Sequence, residues 1–503
     1  MKKPFIPVRE VISYCPNSGT WNSMKPELKE KYFISFWSEE RVQRHIDMLS
    51  AFGYNALHVS VVGQMPRNAG TTMEEWVQRV NTMIDAAHEN GMSLTQFVWG
   101  NAISGMGDDE VSIAIHDWHN PTGRSALQRE WERSAKAIGG KVNRVVTHWN
   151  DPGGAVDGCP DCTIHTAVEI HNAIMDIFRG ANSGIEGYFS NWMLFLGNAS
   201  YGNGWPGYDG VKSIIYDPSF DAASGVAIGI MNCGSDGVHL DRFGQLNADD
   251  LRAISSAGRK AAVWGWYITD MEIQPSLHVH TKLLKNYFRS LPPETTDTVA
   301  WHTVDDCCSG LNMHNLFVAG RLMHDPTQDA QALLQEYADG FFGSAAASAL
   351  VRALDAVEHA RCRSLRYSLK VGDPHEGLHE DELDSNELPA DWADRGLAMA
   401  RSSLKELANL NLPARHKAAW PVTLSPQEFL QELVAHLKAI EQMLVFLKAA
   451  VDVRRRKDAG ASRSEIEAAL AALPQVIYDT AHTAGLERQA YLQHKQALEA
   501  GLR

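Results

Sequence analysis

The chain has 503 residues, 44% of them hydrophobic, and a formal net charge of −15. A chain this long divides its interior among more than one domain. The acidic balance, with no lysine or arginine block carrying interleaved aromatics, excludes nucleic acid and anionic membrane as main partners, because either needs a basic face. The opening MKKPFIPVREVISY has prolines and charges where a secretory signal has an apolar stretch, and no apolar run approaches the ~18 residues of a membrane span. Seven cysteines without a framework of spacings suit a reducing compartment. A soluble cytoplasmic protein is expected, its thiols free.

Over residues 1–320, short β-branched or aromatic runs alternate with amphipathic helical stretches. The runs are Val11–Cys15, Ala56–Val62, Ser93–Trp99, Val142–Trp149, Ile185–Ser190, Val226–Met231, Ala261–Tyr267 and Thr298–Thr303. Between them lie helices such as SEERVQRHIDMLSAFG, with Ser38 as N-cap and Gly53 as stop, and TTMEEWVQRVNTMIDAAHENG, ending at Gly91. Eight alternations predict an α/β fold of the (β/α)8 TIM-barrel type. The absence of G-x-G-x-x-G after the first strand argues against an open doubly wound sheet. Residues 321–503 turn to Ala, Leu, Glu and Arg at helical spacing and predict an all-α C-terminal domain. Its acidic stretch VGDPHEGLHEDELDSNELPADW reads as a solvated linker, a lid or a dimer contact. Apolar stripes beyond what one barrel flank buries predict a homodimer.

In a barrel, chemistry sits at the C-terminal ends of the strands. That rule selects Tyr14 and Asn17 after the first run, His58 and Ser60 after the second, and Trp99 and Asn101 after the third. The fourth is densest, with His148, Trp149, Asn150 and Asp151 before a Pro-Gly-Gly turn. Ser190, Asn191 and Trp192 follow the fifth, Asn232 and Cys233 the sixth. Trp264, Trp266, Tyr267 and Asp270 belong to the seventh; Trp301, His302, Asp305 and Asp306 belong to the eighth. Tryptophan faces stack on the C–H face of a pyranose, while Asn, His and Asp bond its hydroxyls. Carboxylates or a histidine move the protons of glycosidic cleavage. His148 and Asp151 are therefore the catalytic candidates.

Each position also has a structural reading. Trp149 and Trp264 serve equally as core, His58 as a satisfied core histidine, and Asp151 as a turn cap. Of Asp305 and Asp306, one reads as a helix cap. The single Cys159-Pro-Asp-Cys162 has His165 and His171 nearby but no second C-x-x-C, so neither a metal nor a cofactor is expected. The stretch HDWHN, His116–Asn120, borders the pocket or is a plain polar loop. A metal-dependent hydrolase would instead need His58, His148, Asp270 and Asp305 to converge.

Two segments carry a resemblance. VTHWNDPGGAVDGCPDCTIHTAVEIHN resembles the fourth-strand region of barrel glycosidases related to the hexosaminidases, and LNMHNLFVAGRLMHDPTQDAQALLQEYADGFFGSAA is similar to the barrel end of that group and of the α-glucuronidases. The usual Asp-Glu dyad is replaced by Asn150 and Asp151. Chain length and the fourth-strand histidine make the chain resemble glycoside hydrolase family 156, the inverting exo-sialidases. The resemblance implies an exo-acting enzyme that releases a terminal sialic acid by direct water attack. Such a site must hold a carboxylate, which favours a bidentate arginine; Arg67, Arg124 and Arg129 are the candidates. The partner is then a glycan with a terminal acidic or N-acetylated sugar. A β-N-acetylhexosaminidase, an α-glucuronidase-like enzyme and a non-catalytic glycan-binding protein are the alternatives.

Overall fold

The eight apolar runs form eight parallel strands that close on themselves. In this computed structural model, residues 4–12, 37–60, 72–104, 113–149, 159, 161–191, 194, 205–230, 239–265, 277, 279–302, 310–369, 390–418, 420–422 and 424–472 are described. In chain order the strands are β1 (Val8–Ile12), β2 (Ala56–Ser60), β3 (Ser93–Trp99), a short antiparallel pair β4 (Ala102–Ser104) and β5 (Ile113–Ile115), then β6 (Arg144–His148), β7 (Glu186–Ser190), β8 (Gly225–Ile230), β9 (Ala261–Gly265) and β10 (Thr298–His302). The closed order is β1-β10-β9-β8-β7-β6-β3-β2, and β4 and β5 stand apart. Strands of three residues are too short to show alternation, so the sequence gives no sign of β4 and β5.

The first strand starts at Val8, earlier than the expected Val11–Cys15, of which residues 13–15 lie outside the described residues. Arg9 and Glu10 interrupt its apolar run, yet both are accommodated. The Arg9 guanidinium leaves the barrel to bond the Gly53 and Ile6 carbonyls at 2.6 and 2.9 Å, while Glu10 finds partners inside it.

The helices around the barrel are α1 (Glu39–Ala51), α2 (Met73–Glu89), α3 (Pro121–Ile138), α4 (Ile164–Ala181), α5 (Lys212–Ile215), α6 (His239–Ser256), α7 (Thr281–Ser290) and α8 (Met313–His324). Their ends follow the expected chemistry. The Ser38 hydroxyl accepts the Arg41 amide, and Gly53 adopts φ 102° where α1 stops. That glycine also lets α1 approach α8, because a Cβ there would sit 3.3 Å from the Gly320 carbonyl oxygen. α8 runs on to His324, so a boundary at 320/321 falls inside this last barrel helix. Its final carbonyls take the Phe5 and Ile6 amides at 3.0 and 2.9 Å, which ties the segment before β1 to the end of the barrel.

Beyond it come α9 (Ala330–Phe342), α10 (Ser344–Leu369), α11 (Ala390–Leu407), α12 (Pro426–Asp458) and α13 (Arg463–Ala471). This helical region packs directly on the barrel helices. Trp420 sits between Phe52 at the end of α1 and Phe341 of α9, with ring centroids 4.9 and 4.5 Å away. Glu358 of α10 reaches the N-terminus of α7, where it accepts the Thr281 hydroxyl and the Lys282 amide, both at 2.7 Å. No described helix is long and apolar enough to cross a membrane. The acidic stretch at 371–389 lies outside the described residues.

Candidate active site at the barrel mouth

Side chains alternate along each strand, and the inward set divides into two levels. The lower one is polar. Glu10 of β1 accepts Thr95 Oγ1 of β3 at 2.5 Å, lies 2.8 Å from His58 Nδ1 of β2, and meets the Arg144 guanidinium of β6 at 3.5 Å. Arg144 also bonds Thr95 Oγ1 at 3.0 Å and Ser93 Oγ at 2.7 Å. Glu10, His58, Thr95 and Arg144 are buried, and Ser93 is half-buried at the edge of the network. Burial by itself would raise the Glu10 carboxyl, but hydrogen bonds from His58 and Thr95 and the positive charges of His58 and Arg144 outweigh it and hold the pKa below the ordinary range. An ionised Glu10 accepts a hydrogen bond from His58 Nδ1, the ring nitrogen that faces it. Nε2 of that ring meets no hydrogen-bond partner among the described residues.

The upper level is aromatic. Phe97 of β3 connects the two, with its centroid 5.8 Å from the His58 ring and 4.9 Å from the His148 ring. His148, the last residue of β6, is held between Trp99 and Trp264 at 5.8 and 4.5 Å. Its Nδ1 lies 3.2 Å from Ser190 Oγ at the end of β7. Outer elements fix this level in place. Trp131 of α3 donates its indole N–H to the Trp99 carbonyl at 3.0 Å, and the Gly100 amide bonds the His148 carbonyl at 2.7 Å.

Several expected site residues have other duties. Trp149 turns away from the interior, donates to the Ser190 carbonyl at 2.9 Å and packs on Phe189 and Trp205; it is core, not a sugar platform. A Cβ at Gly100 would come within 2.5 Å of its ring, so this close packing requires glycine. Asn191 spends its amide on the fold, accepting the Gly229 amide at 2.7 Å and donating to Tyr208 Oη at 3.2 Å. Arg124 lies exposed in the first turn of α3, donating to the Trp118 carbonyl at 2.9 Å and stacking on its ring at 4.6 Å. Arg129 is exposed further along the same helix. Neither belongs to the interior set, because both ride an outer helix. His58 joins the lower network rather than the mouth.

Asp151, Asn150, Tyr14, Trp266, Asp270, Asp305 and Arg67 lie outside the described residues, as do the side chains of Trp301 and His302 in β10. Glu10, Thr95 and Arg144 were not foreseen. A sign was present in the sequence: an Arg or Glu inside an otherwise apolar strand run needs a partner, and the barrel interior is where such partners meet.

No family model matches the chain, and no curated sequence matches it. Solved structures do. The chain is similar over 100% of its length to a GH138 enzyme targeting pectin rhamnogalacturonan II, with 63% of that protein covered, 11% identity and a TM-score of 0.62. It is similar over 98% to a family GH115 4-O-methyl-α-glucuronidase with specificity for decorated arabinogalactans, with 61% of that protein covered, 13% identity and a TM-score of 0.54. A mutant of the Thermobaculum terrenum O-GlcNAc hydrolase is matched over 99% of this chain and 96% of its own, with 11% identity and a TM-score of 0.50. The fold is one that glycoside hydrolases use. The chain spans less than two thirds of the pectin enzyme and of the glucuronidase.

Chemically, the mouth offers an oriented imidazole between two indoles, above a sealed carboxylate–imidazole pair. Arg144 is committed to Glu10, Thr95 and Ser93, so it is not available to a ligand carboxylate.

Proposed function

We propose that the protein is an exo-acting glycoside hydrolase that removes a terminal acidic sugar, sialic acid in the finer reading, by direct attack of water with inversion. The observation that carries the reading is the setting of His148: a histidine at the end of a barrel strand, flanked by Trp99 and Trp264 and braced by Ser190. Glycoside hydrolases of the same fold over the whole chain length support it. Two of those proteins are named for uronic-acid or pectin glycans, which favours an acidic sugar. In this reading the tryptophans hold the apolar face of the sugar, and Ser190 orients the imidazole. His148 and Asp151 divide the proton transfers at the leaving oxygen and the incoming water.

A second reading, a β-N-acetylhexosaminidase, is favoured by the likeness to an O-GlcNAc hydrolase across nearly both chains. Aryl glycosides of sialic acid, glucuronic acid, N-acetylglucosamine and N-acetylgalactosamine separate the two. Release from the sialoside, lost by 10²- to 10⁴-fold in kcat in His148→Asn and in Asp151→Ala, is the expected result. Release from the N-acetylhexosaminides alone transfers the assignment to the second reading. Glycan binding without turnover of any member marks a binding protein.

A further inference from the structure

The two histidines nearest the C-x-x-C in sequence are not its companions. His165 is bonded to Asp217 at 2.8 Å, and His171 is buried between Thr147 and Ser224 at 2.8 and 2.9 Å, where burial lowers its pKa to about 3. The cysteines meet a different segment. His119, Cys159 and Cys162 bring one nitrogen and two sulfurs within 4.8 Å of one another, the one group of this spacing among the described residues. Asp117 is not a member of that group but lies beside its two sulfurs, its Oδ1 accepting from Cys159 Sγ at 3.5 Å and from Cys162 Sγ at 3.8 Å.

We infer that Asp117, His119, Cys159 and Cys162 form a structural zinc site that ties the segment before α3 to the segment before α4. Zinc in structural sites is tetrahedral, with sulfur at about 2.3 Å and nitrogen or oxygen at about 2.0–2.2 Å, so neighbouring ligand atoms lie about 3.6 Å apart. The two sulfur–oxygen separations are already those of tetrahedron edges. Two thiolates, one imidazole and one carboxylate make a donor set that suits zinc, and all of it comes from the protein, as in a closed structural site. Binding exchanges the two thiol protons, now directed at Asp117 Oδ1, for the cation.

The surroundings hold the ligands in place. The His119 amide donates to Asp117 Oδ1 at 2.9 Å, which locks the Asp-x-His turn, and Thr166 Oγ1 lies 3.3 Å from His119 Nε2. Beneath the turn, a Cβ on Gly123 would be 2.5 Å from the Asp117 carbonyl oxygen, so only glycine lets α3 start this close. Cys162 is buried and Cys159 half-buried, and neither is in a disulfide. The clamp joins the βα connections that follow β3 and β6, the strands that deliver Trp99 and His148. It therefore braces the rim of the mouth without entering it.

The test is cobalt titration of the full chain after chelator stripping under reductant. The expected result is a thiolate-to-cobalt charge-transfer band with tetrahedral d–d bands, saturating at about one ion per chain and abolished by zinc. Cys159→Ser/Cys162→Ser should lose the band while keeping the far-ultraviolet circular dichroism of the parent. Wild type that shows no thiolate band overturns the site, as does a folded double variant that keeps it. Because wild type alone is decisive, misfolding of the variant does not rescue the proposal.

Discussion

Two buried glutamates, one in the barrel and one in the helical region, titrate in opposite directions. Glu10 is 2% exposed and Glu358 is 3% exposed, yet Glu10 is held below the ordinary carboxylate range and Glu358 is raised to about 7. Glu358 also accepts two hydrogen bonds, at the N-terminus of α7, but desolvation outweighs them. The nearest cation, Lys282, is paired with Asp355, whose own charge pushes Glu358 further up. Glu10 faces a guanidinium and an imidazole with nothing of like charge between. Depth of burial is therefore a poor guide to ionisation; the charges facing the group decide it.

The sharpest way to break this contrast is to remove the carboxylates. Glu10→Ala strands Arg144 and His58 inside the barrel, and a loss of about 3–5 kcal/mol in urea unfolding at neutral pH is expected. A loss below about 1 kcal/mol would mean that the lower level is not an ion-pair network. In the wild type, the stabilisation from Glu10 is present above its ordinary pKa and disappears as pH falls through the depressed native value.

Glu358 carries the opposite sign. Its native form holds the proton more tightly than the unfolded chain does, so stability falls as pH rises from about 4.5 to about 7 and levels off above. The span is on the order of 3 kcal/mol. Glu358→Gln should flatten that slope and gain stability at pH 8; an unchanged slope would assign the pH dependence elsewhere. The smallest effects compare the two threonines. Thr95→Val removes a bond to a charged acceptor and should cost about 1.5–3 kcal/mol, whereas Thr281→Val, measured at pH 5 where Glu358 is neutral, should cost about 0.5–1.5 kcal/mol. Equal costs would erase the distinction drawn between the two sites.

The barrel was legible because its strands are short apolar runs between capped helices. Ser93–Trp99 has the expected bounds, and Ser38, Gly53 and Gly91 occupy the expected cap positions. The start of the first strand was missed because charge inside a barrel reads like charge at a strand end until its partners are known. The place of His148 at the end of its strand was legible, because the strand bounds follow the apolar run. Asn191 and Arg124 show the complementary ambiguity: an amide or guanidinium that can hold a ligand can equally hold Gly229, Tyr208 or Trp118, and residue type does not distinguish the two duties. Trp149 and Trp264 are both buried, and the strand face each occupies sets its neighbours: Trp149 packs on Phe189 and Trp205, Trp264 on His148. His119 and Asp117 could not be matched to Cys159 and Cys162 from spacing, because some forty residues of chain separate them.

Closure of the barrel also has a cost in time. Val8 pairs with Thr298, roughly 290 residues later, so at ribosomal rates of about 5–20 residues per second the first barrel strand waits roughly 15–60 s for its second neighbour. Throughout that interval one edge of β1 is open to any strand that passes. Arg9 and Glu10, the pair that obscured this strand in the sequence, are the charges that discourage a wrong neighbour from docking there while the right one is still being made.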